Sequence, residues 1–287
     1  MKTKKNNSKA PLKRKSFKKE TYLSHLMPNP GAFNNRIVIG IPLTGVVRAE
    51  WMLARFGQII PTNWSSIDVI QWITTYSPFR YMVADARNLV VRKAIETNAE
   101  WVFFIDHDVI IPPYCFLAIN DYIRSGKYPV VAGLYYTRGF PSEPLIYRGR
   151  GNSFYKDWKL GDKVMVDGIP MGCTLINGKI LKAMWDESEE YRVGGEVTRR
   201  VFETPNKIWF DKDSGSTHAQ TGTEDLFWCD RVMKEGFLEK AGFPEFQKMK
   251  NPFLMDTSLA CYHIDMDGNK FPNFKLDVPI KATVIRG

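Results

Sequence analysis

The chain has 287 residues, 44% apolar and 13% aromatic, which is ample for a real core and excludes a chain too polar to fold. Its net charge of +9 is local. Residues 1–20 hold nine Lys/Arg against one acid, Glu20, so they carry +8 and the other 267 residues only about +1. No apolar run approaches ~18 residues, so no transmembrane helix is expected, and the basic N-terminus lacks the apolar stretch of a secretory signal.

Residues 1–20 have almost no apolar side chains and cannot bury enough surface to fold alone. Pro28-Asn29-Pro30-Gly31 closes this region, so residues 1–33 are expected to be a basic, disordered tail and residues 34–287 one domain. The tail reads as a solubilising arm, or as a contact for anionic lipid or nucleic acid.

Arg36–Ile41 then reads as a buried strand, stopped by Pro42, with Leu43-Thr44-Gly45 as a loop at its carboxyl end. Val46–Phe56 fits a helix ended by Gly57, and Ile67–Ile73 a second strand. In Ala84–Thr97, Leu89, Val90, Val91 and Ala94 fall at core-facing helical spacings. Trp101–Ile105 is five apolar residues in a row, the pattern of a strand buried on both faces of a parallel sheet. Pro112-Pro113 open a helix through Ser125, stopped by Gly126, and Pro129–Tyr136 is a further strand.

Gly139–Val166 loses periodicity and reads as loops and short antiparallel strands over a cleft. Gly172–Ile176 returns to core strand, followed by a helix over Lys179–Trp185. Gly222-Thr223-Glu224-Asp225 leads into a helix over Leu226–Lys234, and Leu259–Ile264 is a last apolar segment carrying His263. Strand and helix alternate, which argues for an α/β fold with a mostly parallel sheet between helices. Cys115, Cys173, Cys229 and Cys261 form no paired spacing and read as reduced thiols of a cytoplasmic protein, peripheral to a membrane if the tail binds lipid.

The chemistry is concentrated where the Trp101–Ile105 strand ends in Asp106-His107-Asp108. Ligands of open α/β sheets bind outside the carboxyl ends of the strands. Two carboxylates one residue apart can hold a hard divalent cation and leave its remaining positions to a diphosphate. The same pair can also simply cap the next turn.

In chain order the informative residues are Pro42-Leu43-Thr44, Asp85-Ala86-Arg87-Asn88, Asp106-His107-Asp108, Met171–Asn177, Thr223-Glu224-Asp225 and His263. This series resembles the nucleotide-sugar glycosyltransferases of the GT-A fold, in particular the family 2-like group, over residues 36–265. The resemblance implies a Rossmann-like, mostly parallel sheet with helices on both faces and a smaller antiparallel, acceptor-side portion. It implies transfer of a sugar from a nucleoside-diphosphate sugar to a hydroxyl acceptor, the acceptor being a glycan, lipid, protein or nucleic acid.

It also implies site roles. Asp106, Asp108 and His263 would hold Mn2+ or Mg2+, which would neutralise the departing diphosphate. Pro42 and Thr44 would lie against the base, with Arg87, Asn88 and Asp106 contacting phosphate, ribose or base. Asp225, with Glu224 beside it, would take the acceptor proton in an inverting transfer.

Each residue has a plainer reading. Arg87 can pair with Asp85 or another acid, Asn88 can cap its helix, Glu224 and Asp225 can serve the helix dipole, and His263 can be a core histidine. Trp228 can stack on a sugar but fits a core aromatic better. Two other functions fit less well. A nucleotidyltransferase acting on a sugar phosphate would carry a Gly-rich phosphate loop, whereas Pro42–Arg48 has one Gly. A nucleic-acid-binding protein could use the tail, but the rest of the chain is nearly neutral.

Overall fold

The run Trp101–Ile105 is a strand with every residue buried, and the architecture follows from its need for cover on both faces. The computed structural model describes residues 37–61, 64, 73–149 and 155–278. The proposed tail, and all of the Ile67–Ile73 strand but its last residue, lie outside the described residues.

In chain order the elements begin with β1 (Ile37–Gly40), α1 (Ala49–Phe56), β2 (Ile73–Tyr76), α2 (Val83–Glu96), β3 (Trp101–Ile105), β4 (Val109–Ile110) and α3 (Cys115–Ser125). Next come β5 (Val130–Leu134), β6 (Lys163–Val166), β7 (Cys173–Asn177), α4 (Gly178–Glu187), β8 (Glu190–Val193), β9 (Glu196–Arg199), β10 (Asn206–Asp211) and β11 (Ser216–Thr221). The chain ends with α5 (Glu224–Lys234), α6 (Phe237–Lys240), α7 (Pro244–Gln247), β12 (Phe253–Ala260), β13 (Tyr262–Ile264) and β14 (Lys270–Phe271).

Seven strands form one sheet in the order β2-β1-β3-β7-β5-β12-β6. β1, β2, β3, β5 and β12 share a direction; β7 and β6 run against it. The fold is therefore α/β with a mostly parallel sheet, as the alternation of elements led us to expect. The antiparallel β7 was not legible, because a continuous apolar run shows burial and not direction.

Alternate residues feed two cores. Val38, Val102, Phe104, Ala132 and Ile176 pack against α2, α4 and α5 through Val90, Leu181 and Trp228. Ile37, Ile39, Phe103, Ile105 and Leu175 pack on the other face against Trp51 of α1 and Phe116 and Ile119 of α3. Gly40 lets α2 close on the sheet, since a Cβ there would collide with Val90.

The smaller antiparallel part contains the hairpins β8–β9 and β10–β11 and the three-stranded β14-β13-β4. Among the described residues no helix is long and apolar enough to cross a membrane.

Candidate active site

Because five strands share a direction, their carboxyl ends meet along one edge of the sheet. β1 delivers Pro42 and Thr44 there, β3 delivers Asp106-His107-Asp108, and β5 delivers Tyr135 and Arg138. β12 turns through Cys261 into β13, which pairs with β4 so that His263 lies opposite Val109. The Ile264 amide donates to the Asp108 carbonyl at 2.8 Å. This short ladder places His263 beside Asp108 across 155 residues of sequence. The start of α2, with Tyr81 just before it, and the first turn of α5 add Tyr81, Val83, Arg87, Glu224 and Asp225. Together they enclose a cavity of about 310 Å³.

A larger groove, about 800 Å³, is lined by Ala94, Trp101, Gly178 and Lys182, at the opposite end of β3. Its Lys182 and Lys240 pair with Asp186 and Glu187, and among the described residues its lining holds no histidine, whereas the smaller cavity gathers four acids and two histidines. We therefore assign the chemistry to the smaller cavity.

Arg87 pairs with two acids, the plainer of its two readings, and neither of them is Asp85. Its side chain is 2% exposed, and its Nη2 lies 3.0 Å from Asp106 while Nε donates to Glu224 at 3.1 Å. The guanidinium also sits 5.2 Å from the Phe104 ring centroid. Burial opposes its charge, but Asp106 and Glu224 more than restore it and hold the pKa above the ordinary arginine value. Arg87 thus joins the end of β3 to the start of α5, with Nη1 left without a hydrogen-bond partner.

Glu224 is occupied by Arg87. Asp106 is pushed upward by burial, against the pull of Arg87, with Asp108 and Glu224 adding repulsion. Its Oδ1 is buried and lacks a hydrogen bond.

Asn88, expected near ribose, spends its amide within the protein. Nδ2 donates to the Tyr191 hydroxyl at 3.0 Å and the Phe202 carbonyl at 2.9 Å, and Oδ1 accepts from the Phe202 amide at 2.7 Å. Pro42 and Thr44 do line the cavity, Thr44 Oγ1 lying 2.9 Å from His107 Nε2. Trp228 is fully buried and stacks on Phe202 at 5.7 Å, so it belongs to the core.

Asp225 also lines the cavity and is not paired with Arg87. Its Oδ1 accepts from the Leu226 amide at 2.8 Å. Burial, then repulsion from Glu224, raises its pKa to about 6 despite the Thr223 and Leu226 hydrogen bonds. A carboxylate tuned toward neutrality is suited to general-base work.

Asp108 and His263 make the best cation site. His263 Nδ1 is 3.0 Å from the Tyr136 carbonyl, which can only accept, so this nitrogen carries the proton. In a neutral ring Nε2 then turns a lone pair toward Asp108 Oδ2, 3.4 Å away. Two acceptors facing each other fit a shared cation. With the ring protonated instead, Nε2 donates to Asp108, and His263, then His107 and Arg138, outweigh burial and hold Asp108 below the ordinary carboxylate value. Among the described residues no three His, Cys, Asp or Glu side chains form a ready metal cage, because Asp106 turns to Arg87. Magnesium is usually held by one or two carboxylates with phosphate and water oxygens, so Asp108 suits it, while the imidazole of His263 suits a transition metal better.

Two residues went unnoticed in the sequence. Arg138, nearly half exposed, lies 2.9 Å from Asp108 Oδ2. Tyr135 accepts from the Gly172 amide at 3.0 Å, and burial, then Asp106, keeps its hydroxyl protonated. Both leave the carboxyl end of a buried strand, the only signal that could have marked them.

No family model matches the chain, and no curated protein matches it. Among solved structures it is similar to A197 from STIV, with 19% identity, a TM-score of 0.47, and 86% of this chain and 99% of that chain covered. It is also similar to S. aureus TarS 1-349 in complex with UDP, with 11% identity and a TM-score of 0.33 over 51% of this chain and 48% of that one. The same TarS fragment with UDP-GlcNAc gives 11% identity and a TM-score of 0.32 over 51% and 46%. The chain therefore spans about half of the TarS fragment that it matches.

Proposed function

We propose that this chain transfers a sugar from a nucleoside-diphosphate sugar to an acceptor hydroxyl, with inversion. The observation that carries the reading is one cavity at the strand ends where Asp108, His263, Arg138 and Asp225 converge. Asp108 and His263 would hold a divalent cation, which when bound supplies Lewis-acid stabilisation of the leaving diphosphate. Arg138 offers a planar fork of donors to the same phosphates, exchanging Asp108 for them. Pro42 and Thr44 form the wall on the β1 side, where the nucleoside would lie.

Asp225 would take the proton of the attacking hydroxyl as the new anomeric C–O bond forms and the bond to diphosphate breaks. Arg87 and Glu224 line the same cavity and pair with each other. They fix the first turn of α5 against the end of β3, so Asp225 is held in register with Asp108.

Two variants separate the roles. Asp225→Asn keeps size and hydrogen bonding but removes the base, so turnover should fall ~100-fold or more with donor affinity unchanged. His263→Ala should weaken donor and manganese binding together with rate. Turnover is read as nucleoside diphosphate release and affinity by calorimetry. Normal turnover of Asp225→Asn at saturating donor would remove the base assignment.

A further inference from the structure

Tyr135 lines the cavity, yet the transfer chemistry gives its hydroxyl nothing to do. The residue is 5% exposed and held from several sides. Its carbonyl accepts from the Leu145 amide at 2.9 Å, and the carbonyl of Tyr136, next in the chain, is bonded to His263 Nδ1 at 3.0 Å. The Tyr135 ring meets the His263 ring edge to face, with centroids 5.4 Å apart. These contacts give the hydroxyl a fixed place.

That hydroxyl is half used. A phenol can both accept and donate. This one accepts from the Gly172 amide at 3.0 Å, and among the described residues nothing accepts its proton. A buried donor without an acceptor costs free energy, so it calls for a reason. A second unused group stands beside it. A Cβ at Gly172 would lie 2.7 Å from the Tyr135 hydroxyl and 3.0 Å from Asp106 Oδ2, so the two side chains flank one point. The other oxygen of Asp106, Oδ1, is 3.0 Å from Arg87 Nη2 but has no hydrogen bond. A free donor and a free acceptor together match a ligand group that takes one bond and gives another, which is what a hydroxyl does.

Charge separates the sugar from the diphosphate. Asp106, Glu224 and Asp225 gather around Arg87, so this end of the cavity carries excess negative charge. Of the charged groups, Asp106 and then Asp225 act most on the Tyr135 hydroxyl, and with burial they keep it protonated. A phosphate oxygen would be repelled there. The diphosphate suits the other end, with Asp108, His263 and Arg138, which leaves the neutral sugar to Tyr135.

We propose that the Tyr135 hydroxyl, beside the free oxygen of Asp106, donates to one hydroxyl of the sugar being moved, a role that rests on the proposed transfer. A site built to bond a hydroxyl rejects a sugar lacking it, because the polar groups of the site are then left unpaired. Tyr135 is thus a residue that selects the donor.

The test is calorimetry on the full chain with manganese. The probes are UDP, GDP, CDP and dTDP, each free and as its glucose conjugate. For the nucleotide that the parent binds, Tyr135→Phe should weaken the glucose conjugate about tenfold, the upper scale for one hydrogen bond between neutral groups, and leave the free diphosphate within about twofold. A tyrosine that only held Gly172 in place would weaken both alike. Tyr135→Phe also leaves the Gly172 amide without its acceptor, so melting curves check its fold, and a second measurement needs no variant. Among conjugates of singly deoxygenated glucose, one should bind the parent about tenfold more weakly than glucose itself and lose nothing further in Tyr135→Phe.

Equal losses for conjugate and free diphosphate, or no loss for either, would overturn the proposal. So would parental affinity for every deoxygenated conjugate. In these cases manganese-dependent diphosphate binding would leave the transfer reading standing. A parent that binds none of the nucleotides, free or conjugated, would remove the transfer reading and the role of Tyr135 with it.

Discussion

Arg87 and Asp225 show how burial sorts charges of one cavity into structural and chemical roles. Arg87 balances two carboxylates in a place with almost no water, so removing it leaves uncompensated buried charge. Arg87→Met should cost about 3–5 kcal/mol, the usual penalty for breaking a buried pair from one side. Urea unfolding checks this, and a loss under about 1 kcal/mol would mean that Asp106 and Glu224 are reached by solvent.

Asp225 behaves in the opposite sense. Its folded-state pKa, about 6, lies above the unfolded value, so ionising it costs stability. The cost is absent below about pH 4, grows up to about pH 6 and is full above that. Asp225→Asn should therefore raise the melting temperature at pH 8, by an amount worth about 1–3 kcal/mol, and change little at pH 4. Equal melting temperatures at pH 8 would show an ordinary carboxyl. Sequence alone could not separate Glu224 from Asp225. Both open the same helix, and the choice is made by Arg87, 137 residues away from Glu224. The Asp106–Asp108 pair was legible because it ends an apolar run, whereas Arg138 follows its strand with no spacing pattern.

Elements place the site through backbone approach as much as through side chains. Gly172, just before β7, sits where a Cβ would be 2.7 Å from the Tyr135 hydroxyl and 3.0 Å from Asp106 Oδ2. Those neighbours are held by the Gly172 amide and by Arg87, so they have little room to give. Gly172→Ala should cost about 1–3 kcal/mol by overpacking and should disable the cavity. A variant with full activity and parental stability would show that the loop before β7 yields freely.

β3, α2 and α5 were legible because long apolar or periodic runs survive any tertiary context. The hairpins β8–β9 and β10–β11 were missed. β8 alternates exposed and half-buried residues, β9 buries only Thr198, and the hairpin is held by α2 through Tyr191, which donates to Asp85 at 2.6 Å. A strand fixed by such distant contacts leaves little trace in its own residues.

At the scale of the molecule, the sheet direction decides everything else. Five strands ending on one edge bring together residues from 42 to 263 that no local pattern connects. The nearly neutral remainder outside residues 1–20 fits a protein whose charges are committed to one site and to internal pairs. The central claim is that this edge binds a nucleoside-diphosphate sugar with a divalent cation. The most direct measurement is the melting temperature of the full chain with UDP-, GDP-, CDP- and dTDP-sugars, with and without manganese, for the parent and Asp108→Ala. A ligand raises stability only if it prefers the folded state. One nucleotide class should raise the parent's melting temperature only when manganese is present, and Asp108→Ala should lose that shift while melting normally by itself. No shift with any sugar nucleotide, or a shift equally large in Asp108→Ala, would contradict the account.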